Sequence, residues 1–255
     1  MRKWLIAGPV LLLVLAATAS AVCTRPDPTH GLWTTILRLR VHQGQVDYAA
    51  LAREDSAQLA AYLEQLSGTC ARDYERFNQA EKIAFWINTY NAYTVKLILD
   101  NYPIGSIRQI GWLPGAAFRE RFIPMAGLKG GSISLNDIEH GTLRSAFSEP
   151  RIHFALVCAS RSCPPLRNEA YRGSDLDHQL NDQARSFLHD TRMNRYIAAS
   201  RTLEISAIFD WFHQDFEAAA GSVPAFAGRY LELPAGPEPA VRYLPYDWQL
   251  NDRER

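Results

Sequence analysis

The segment FWINTYNAYTVKLIL, residues 85–99, constrains the fold more than any other stretch. It is apolar or aromatic on nearly every face, so a helix carrying it must be buried on most sides rather than laid on a surface. Asn78 can cap that helix, and Glu81 three residues on completes a capping-box spacing. Asn101-Tyr102-Pro103 stops it, because the residue before a proline resists helical angles. The pattern predicts one long buried helix over 78–99. Asn88 and Asn91, three residues apart, are neighbours on its surface. Buried amides need partners. They either bond the backbone of a nearby loop or brace a polar pocket, and an amide can do both.

Other helices are expected over 29–41, 56–66, 134–147, 176–190 and 206–219, with a hairpin from Asn194 to Ile205. GQVDYAAL reads as a loop from which Tyr48 and Leu51 dock on the body. The region 106–131 reads as loops with short extended pieces around Arg121 to Met125. In the 134–147 helix, Ser134 and Asp137 repeat the capping-box spacing. Glu139 and His140 project about 100° apart, so spacing alone does not make them a dyad. His140 and Arg144 are i,i+4 neighbours. Beyond a Pro/Gly-rich linker, AVRYLPYDWQLND should pack through Tyr243, Tyr246 and Trp248.

The stretch RIHFALVCASRSCPPL, 151–166, holds two cysteines. Its almost unbroken apolar run suits a central strand buried on both sides. Alternation would then put His153 and Cys158 on opposite faces. Cys163 precedes Pro164, and proline is favoured in a first helical turn. With LRNEAY as a helix, Cys163 would sit at its N-terminus, where the dipole lowers a thiol pKa. Asp210, Trp211, His213 and Asp215 share one aromatic helix and are read as packing or solvation. His42, His178, His189 and the Arg119-Glu120-Arg121 triplet are read as solvent-facing.

The opening MRKWLIAGPVLLLVLAATASAVC has a basic start, a short apolar stretch and a small-x-small site at Ala19-Ser20-Ala21. It reads as a signal peptide over 1–21, which predicts a periplasmic or secreted protein. Lipidation of Cys23 is the alternative and would anchor the protein to a membrane, but Val22 stands where lipoprotein signals want Gly, Ala or Ser. An N-terminal segment, 22–44, precedes one domain over 45–250. Formal net charge is zero, with 27 basic and 27 acidic residues, which removes the footprint of a nucleic-acid binder. Four cysteines are too few for a disulfide-built scaffold, so the core must hold the fold. The expected class is a single α-rich α+β domain with a small central β-sheet, for which a papain-like or transglutaminase-like form is the candidate.

EKIAFWINTYNAYTVKLIL, SLNDIEHGTLR, EPRIHFALVCASRSCPPLRNEAY and YLPYDWQLN, in that order, resemble the signature blocks of the family called domain of unknown function 547. The resemblance spans roughly residues 45–250 and carries little function with it. Bacterial members of that family are often exported, and plant members carry the domain beside a coiled coil. The family block usually has a small or amide residue before the first cysteine and Gly after it, where this chain has Val157 and Ala159. The second cysteine is serine in many plant members. The resemblance therefore favours Cys158 over Cys163 as an essential thiol and weakens a mandatory Cys158–Cys163 disulfide.

Three functions fit these residues. In the first, the chain is a cysteine-dependent hydrolase or acyltransferase acting on a peptide or amide. Cys158 would be the nucleophile, His140 or His153 its base, and Glu139 or an asparagine the orienting group, as in papain-like or transglutaminase-like enzymes. The loop ASRS would supply oxyanion donors. In the second, Cys158 and Cys163 are a structural pair, with Cys70 a further partner; C-x4-C is not the C-x-x-C of disulfide exchange enzymes. In the third, the chain is a non-enzymatic binding or scaffolding module for a peptide, glycan or protein. Asn88, Asn91, Arg144 and Cys163 are its candidate binding residues. Cys158, Cys163, His140 and His153 lack the ligand spacings of zinc modules, so no metal or cofactor is expected.

Overall fold

In the computed structural model, which describes residues 23–24 and 26–253, the long apolar helix organises everything else. The segment read as a signal peptide, 1–21, lies outside the described residues. Helices α1 (Gly31–Arg40) and α2 (Ser56–Ser67) lead to α3 (Gln79–Asn101). Both halves of the expected capping box are formed: the Glu81 amide donates to Asn78 Oδ1 at 3.0 Å, and the Asn78 amide donates to Glu81 Oε2 at 2.8 Å. Every residue of α3 from Ile83 to Val95 is buried. A helix so placed is stabilised by packing on all sides rather than by its modest propensity. Residues 48–55, just before α2, are helical where a loop was expected, and Tyr48 and Leu51 are buried there.

Among the described residues strands are short and form three separate sheets rather than one central sheet. β1 (Val41–His42) and β2 (Gln45–Val46) make one hairpin, and β3 (Ile123–Met125) and β4 (Gly131–Ile133) another. β5 (Arg195–Ile197) pairs antiparallel with β6 (Thr202–Ser206), and β7 (Ala240–Leu244) joins β6 in parallel. The predicted hairpin is therefore present and gains a third strand from the C-terminal region. With α4 (Leu176–Leu188) and α5 (His213–Ala220), the result is an α-rich α+β single domain.

Two clusters fill it. The larger surrounds α3 with Trp33, Tyr48, Tyr62 and Trp86, and the smaller stacks Phe154, Phe187, Phe209, Phe216 and Phe226. Residues 150–159 run between them: Ile152, Ala155, Leu156 and Val157 pack in the first cluster and Phe154 in the second. That explains the apolar run, but the run is not a strand. Pro150–Phe154 is a 3₁₀ turn, followed by irregular chain. Burial on two sides selects the composition, while the backbone bonds come from elsewhere. The amides of Ala155 and Leu156 donate to the Ile152 carbonyl, each at 2.9 Å. The Asn91 side chain donates to the Ala155 carbonyl and accepts from the Val157 amide, again at 2.9 Å each. The opposite-face relation of His153 and Cys158 therefore does not apply. Nor does LRNEAY form a helix, so no helix dipole acts on Cys163. Tyr243 is also misjudged: it is exposed, whereas Tyr246 and Trp248 pack.

Candidate functional site

Three parts of the chain meet at one cavity of about 180 Å³, lined by Glu139, His153, Cys158, Cys163, Tyr90, Tyr246, Trp211 and Trp248 among others. The first part is the helix that begins at Leu135–Ile138. Its capping box is complete, with the Asp137 amide on Ser134 Oγ at 3.1 Å and the Ser134 amide on Asp137 Oδ2 at 2.9 Å. The helix then widens into a π-turn at Glu139–Leu143. Such a turn inserts one extra residue and re-aims the side chains that follow. Glu139 enters the cavity, while His140 and Arg144 reach toward α5.

There Arg144 holds Asp215 in a two-pronged pair, Nε to Oδ2 at 2.6 Å and Nη2 to Oδ1 at 2.8 Å. Its Nη1 donates to His140 Nδ1 at 2.9 Å. Arg144 keeps the Asp215 carboxyl well below the usual carboxylate range, with His153 adding to the effect. Bidentate guanidinium–carboxylate pairing fixes orientation as well as charge. Asp215 Oδ2 also meets His153 Nε2 at 2.7 Å.

The His153 side chain is fully buried and lies flat on Phe212, ring centroids 3.8 Å apart. Burial pushes its pKa below the ordinary value, against the pull of Asp215. A carboxylate can only accept, so Nε2 carries the proton and Nδ1 is left with its lone pair. Among the described residues Nδ1 has no hydrogen-bond partner; the Glu139 carboxylate stands 3.8 Å from it. Burial also raises Glu139, to about 7, with Asp215 adding to the rise and Arg144 opposing it.

The sulfurs approach on the remaining side. Cys158 and Cys163 are joined in a disulfide. Cys158 is partly exposed and Cys163 is buried. The Tyr246 hydroxyl lies 3.2 Å from each sulfur and 3.0 Å from the Ser160 hydroxyl. Tyr246 is carried there by the C-terminal segment, which laces onto the cysteine loop. The amides of Arg161, Ser162 and Asn251 donate to the carbonyls of Gln249, Asp247 and Ala159 at 2.8, 3.2 and 3.2 Å. The Asp247 amide returns a bond to Ser162 Oγ at 2.8 Å. Neither histidine hydrogen-bonds a sulfur; hydroxyls surround them instead. A larger groove of about 830 Å³ shares Cys163 and Pro164 with this cavity. Its charges largely pair among themselves, Arg167 with Asp182 at 2.5 Å and Arg192 with Asp190 at 2.6 Å.

Residues 74–188 match the family described as protein of unknown function, DUF547. That match, a little under half of the chain, supports its assignment to the DUF547 family. No curated protein and no solved structure matches it. The DUF547 match takes in α3, the Glu139 turn, His153 and both cavity cysteines. Asp215, Trp211, Tyr246 and Trp248, which complete the cavity, lie beyond its end.

Of the residues singled out from sequence, Glu139, His153, Cys158 and Cys163 come together in the cavity. His140 and Arg144 stand behind it around Asp215. Asn88 and Asn91 do not line it. Asn88 clamps Tyr171, donating to its carbonyl at 2.7 Å and accepting from its amide at 3.0 Å, as Asn91 clamps Ala155 and Val157. Sequence reasoning missed Asp215, read as packing or solvation, and took Tyr246 for packing alone. Asp215 meets Arg144 and His153 across 71 and 62 residues, a juxtaposition no local pattern encodes.

Proposed function

We propose that this DUF547 protein is a cysteine-dependent acyl-transfer enzyme, a hydrolase or acyltransferase of a peptide or amide, working in this cavity. The observation that carries the reading is His153: one imidazole nitrogen is anchored by Asp215, and the other is buried without a hydrogen-bond partner among the described residues, on a residue that lines the same cavity as Cys158. That division of labour between two ring nitrogens is what a general base for a thiol requires. Keeping a buried acceptor unsatisfied costs about 1–3 kcal/mol, which points to use rather than packing.

In the reduced protein the roles follow. An external dithiol opens the Cys158–Cys163 bond, ending as a disulfide while two thiols form here. Cys158 gives its proton to His153 Nδ1, and the thiolate attacks the acyl carbon. The bond to the leaving amine breaks as that amine takes the proton from His153. Water or another nucleophile then attacks the acyl–sulfur bond, and its proton returns through His153 to the Cys158 sulfur. Asp215, held by Arg144, keeps the imidazole oriented throughout. The preference for Cys158 over Cys163 rests on exposure.

The disulfides also support export. Cys158–Cys163 and Cys23–Cys70 suit an oxidising compartment, and Cys23 has its sulfur in the second bond, where a lipid anchor would need it. The Cys158–Cys163 bond also favours a second reading, a binding module whose cysteines are structural.

Alkylation of the reduced protein separates the two. With iodoacetamide scanned over pH and each cysteine mapped by mass, Cys158 should react with an apparent pKa below the ordinary thiol value of about 8.5, and His153→Ala should return it to that value. Cys158 reacting no more readily than a free thiol, with no response to His153→Ala, sinks the enzyme reading.

A further inference from the structure

The cavity's lining is chemically one-sided. Six aromatic residues face it: Tyr90, Phe118, Trp211, Phe212, Tyr246 and Trp248. Among the described residues no lysine or arginine lines it. Trp211, Tyr246 and Trp248 form a contiguous wall with ring centroids 4.7–5.7 Å apart, and Trp211 is 45% exposed at its edge. Arg108 already lies over Trp248 and Arg144 over Phe212; the other four rings carry no such cation among the described residues. The acidic member is Glu139. No described donor hydrogen-bonds its carboxylate, and the neutral imidazole of His153 stands 3.8 Å from it.

The charges around Glu139 otherwise cancel. Arg144, on the same turn, is matched by Asp215 from α5. Burial favours neutral His153 and His140. Tyr90 from α3 and Tyr246 from the C-terminal segment are held protonated, burial raising both. An ionised Glu139 therefore leaves the cavity with one unbalanced negative charge among aromatic faces, and aromatic faces attract cations.

We infer that the cavity binds a substrate or acceptor through a primary alkylammonium group, seated against the aromatic wall with its N–H donors on the Glu139 carboxylate. This rests on the acyl-transfer reading for its place in a reaction, because the ammonium would mark the amine side of the amide. The binding itself does not depend on that reading. Size agrees: a cavity of about 150 Å³ accommodates a benzene, so 180 Å³ accommodates a four-carbon ammonium chain. The ammonium supplies the counter-charge and hydrogen bonds that Glu139 lacks. By linkage, ligand binding and Glu139 ionisation strengthen one another.

The test uses n-butylammonium and its neutral near-isostere 1-butanol on the Cys158→Ser protein, where no covalent chemistry intervenes, with tryptophan fluorescence and calorimetry as readouts. At pH 8 butylammonium should bind at least about tenfold more tightly than butanol. That preference should shrink severalfold on going to pH 6, as Glu139 protonates and the amine stays charged. Glu139→Gln should abolish the preference at both pH values while circular dichroism reports an intact fold. Trp211→Ala, at a half-exposed ring, should weaken butylammonium several-fold without unfolding risk. Equal binding of the two probes, or a preference that survives Glu139→Gln, overturns the inference. A positive binding result beside an unreactive Cys158 would instead overturn only the acyl-transfer reading.

Discussion

Glu139 is a carboxyl whose environment lowers its acidity, and that has a thermodynamic consequence apart from any ligand. Its folded pKa is raised to about 7 from an ordinary 4.5, so the folded state holds the proton more tightly than the unfolded chain. Stabilisation from this group is complete below pH about 4.5 and is lost as pH rises toward 7. The swing is on the order of 3 kcal/mol, taking 1.36 kcal/mol for each of about 2.5 units. Glu139→Gln, permanently neutral, should remove that fall, so urea midpoints of mutant and parent should diverge between pH 5 and 7.5 in the mutant's favour. A parallel pair of curves would show the carboxyl to be better solvated than its position implies. Asn91 makes the opposite kind of prediction. Its amide satisfies the Ala155 carbonyl and the Val157 amide in the buried chain beside the cavity. Asn91→Ala leaves both unpaired and should cost about 2–4 kcal/mol, read as a lowered urea midpoint at unchanged slope. Here the sequence was informative, since an asparagine inside an apolar helix has to answer to some backbone group. Asp215 was opaque because its meaning lies wholly in residues it meets across the fold.

At the scale of elements, periodicity and caps were legible wherever a helix carries its own hydrogen bonds. Asn78 with Glu81 and Ser134 with Asp137 form as spaced, because capping is local physics. The 150–159 chain was not legible as what it is. An apolar run reports burial on both sides, and a strand is only one way to satisfy the backbone under such burial. Asn91 supplies another, and nothing within the run reveals it. The π-turn at Glu139–Leu143, where Glu139 lines the cavity and His140 does not, is equally silent. Another element-level dependence is testable. The cysteine loop 159–163 takes much of its bonding from 247–251. A chain ending at Leu244 should lose that lacing together with Tyr246, whose hydroxyl covers both sulfurs. In the reduced truncated protein Cys163, buried in the full chain, should then alkylate under native conditions. Continued protection of Cys163 would mean that Pro164 and the α3 core position the loop unaided.

For the molecule as a whole, the two disulfides have different work. Cys23–Cys70 closes a separation of 47 residues and Cys158–Cys163 one of 5. On the chain-entropy account, the long closure restrains the unfolded chain by up to about 4 kcal/mol and the short one by about 2. The long bond ties the N-terminal end to the chain after α2, where the Thr24 amide also donates to the Gly68 carbonyl at 2.9 Å. Cys70 does not line the cavity. Stability and site should therefore separate. The double variant Cys23→Ser, Cys70→Ser should unfold at markedly lower urea while keeping the alkylation profile of reduced Cys158 and its response to His153→Ala. Cys158→Ser should do the reverse, with a smaller stability loss and the activated thiol gone, leaving the buried thiol of Cys163. If the double variant instead silences Cys158 while still folded, the N-terminal tether must act on the cavity through α2 and α3. The compact core around α3 would then be one mechanical unit rather than a scaffold with a separable fastening.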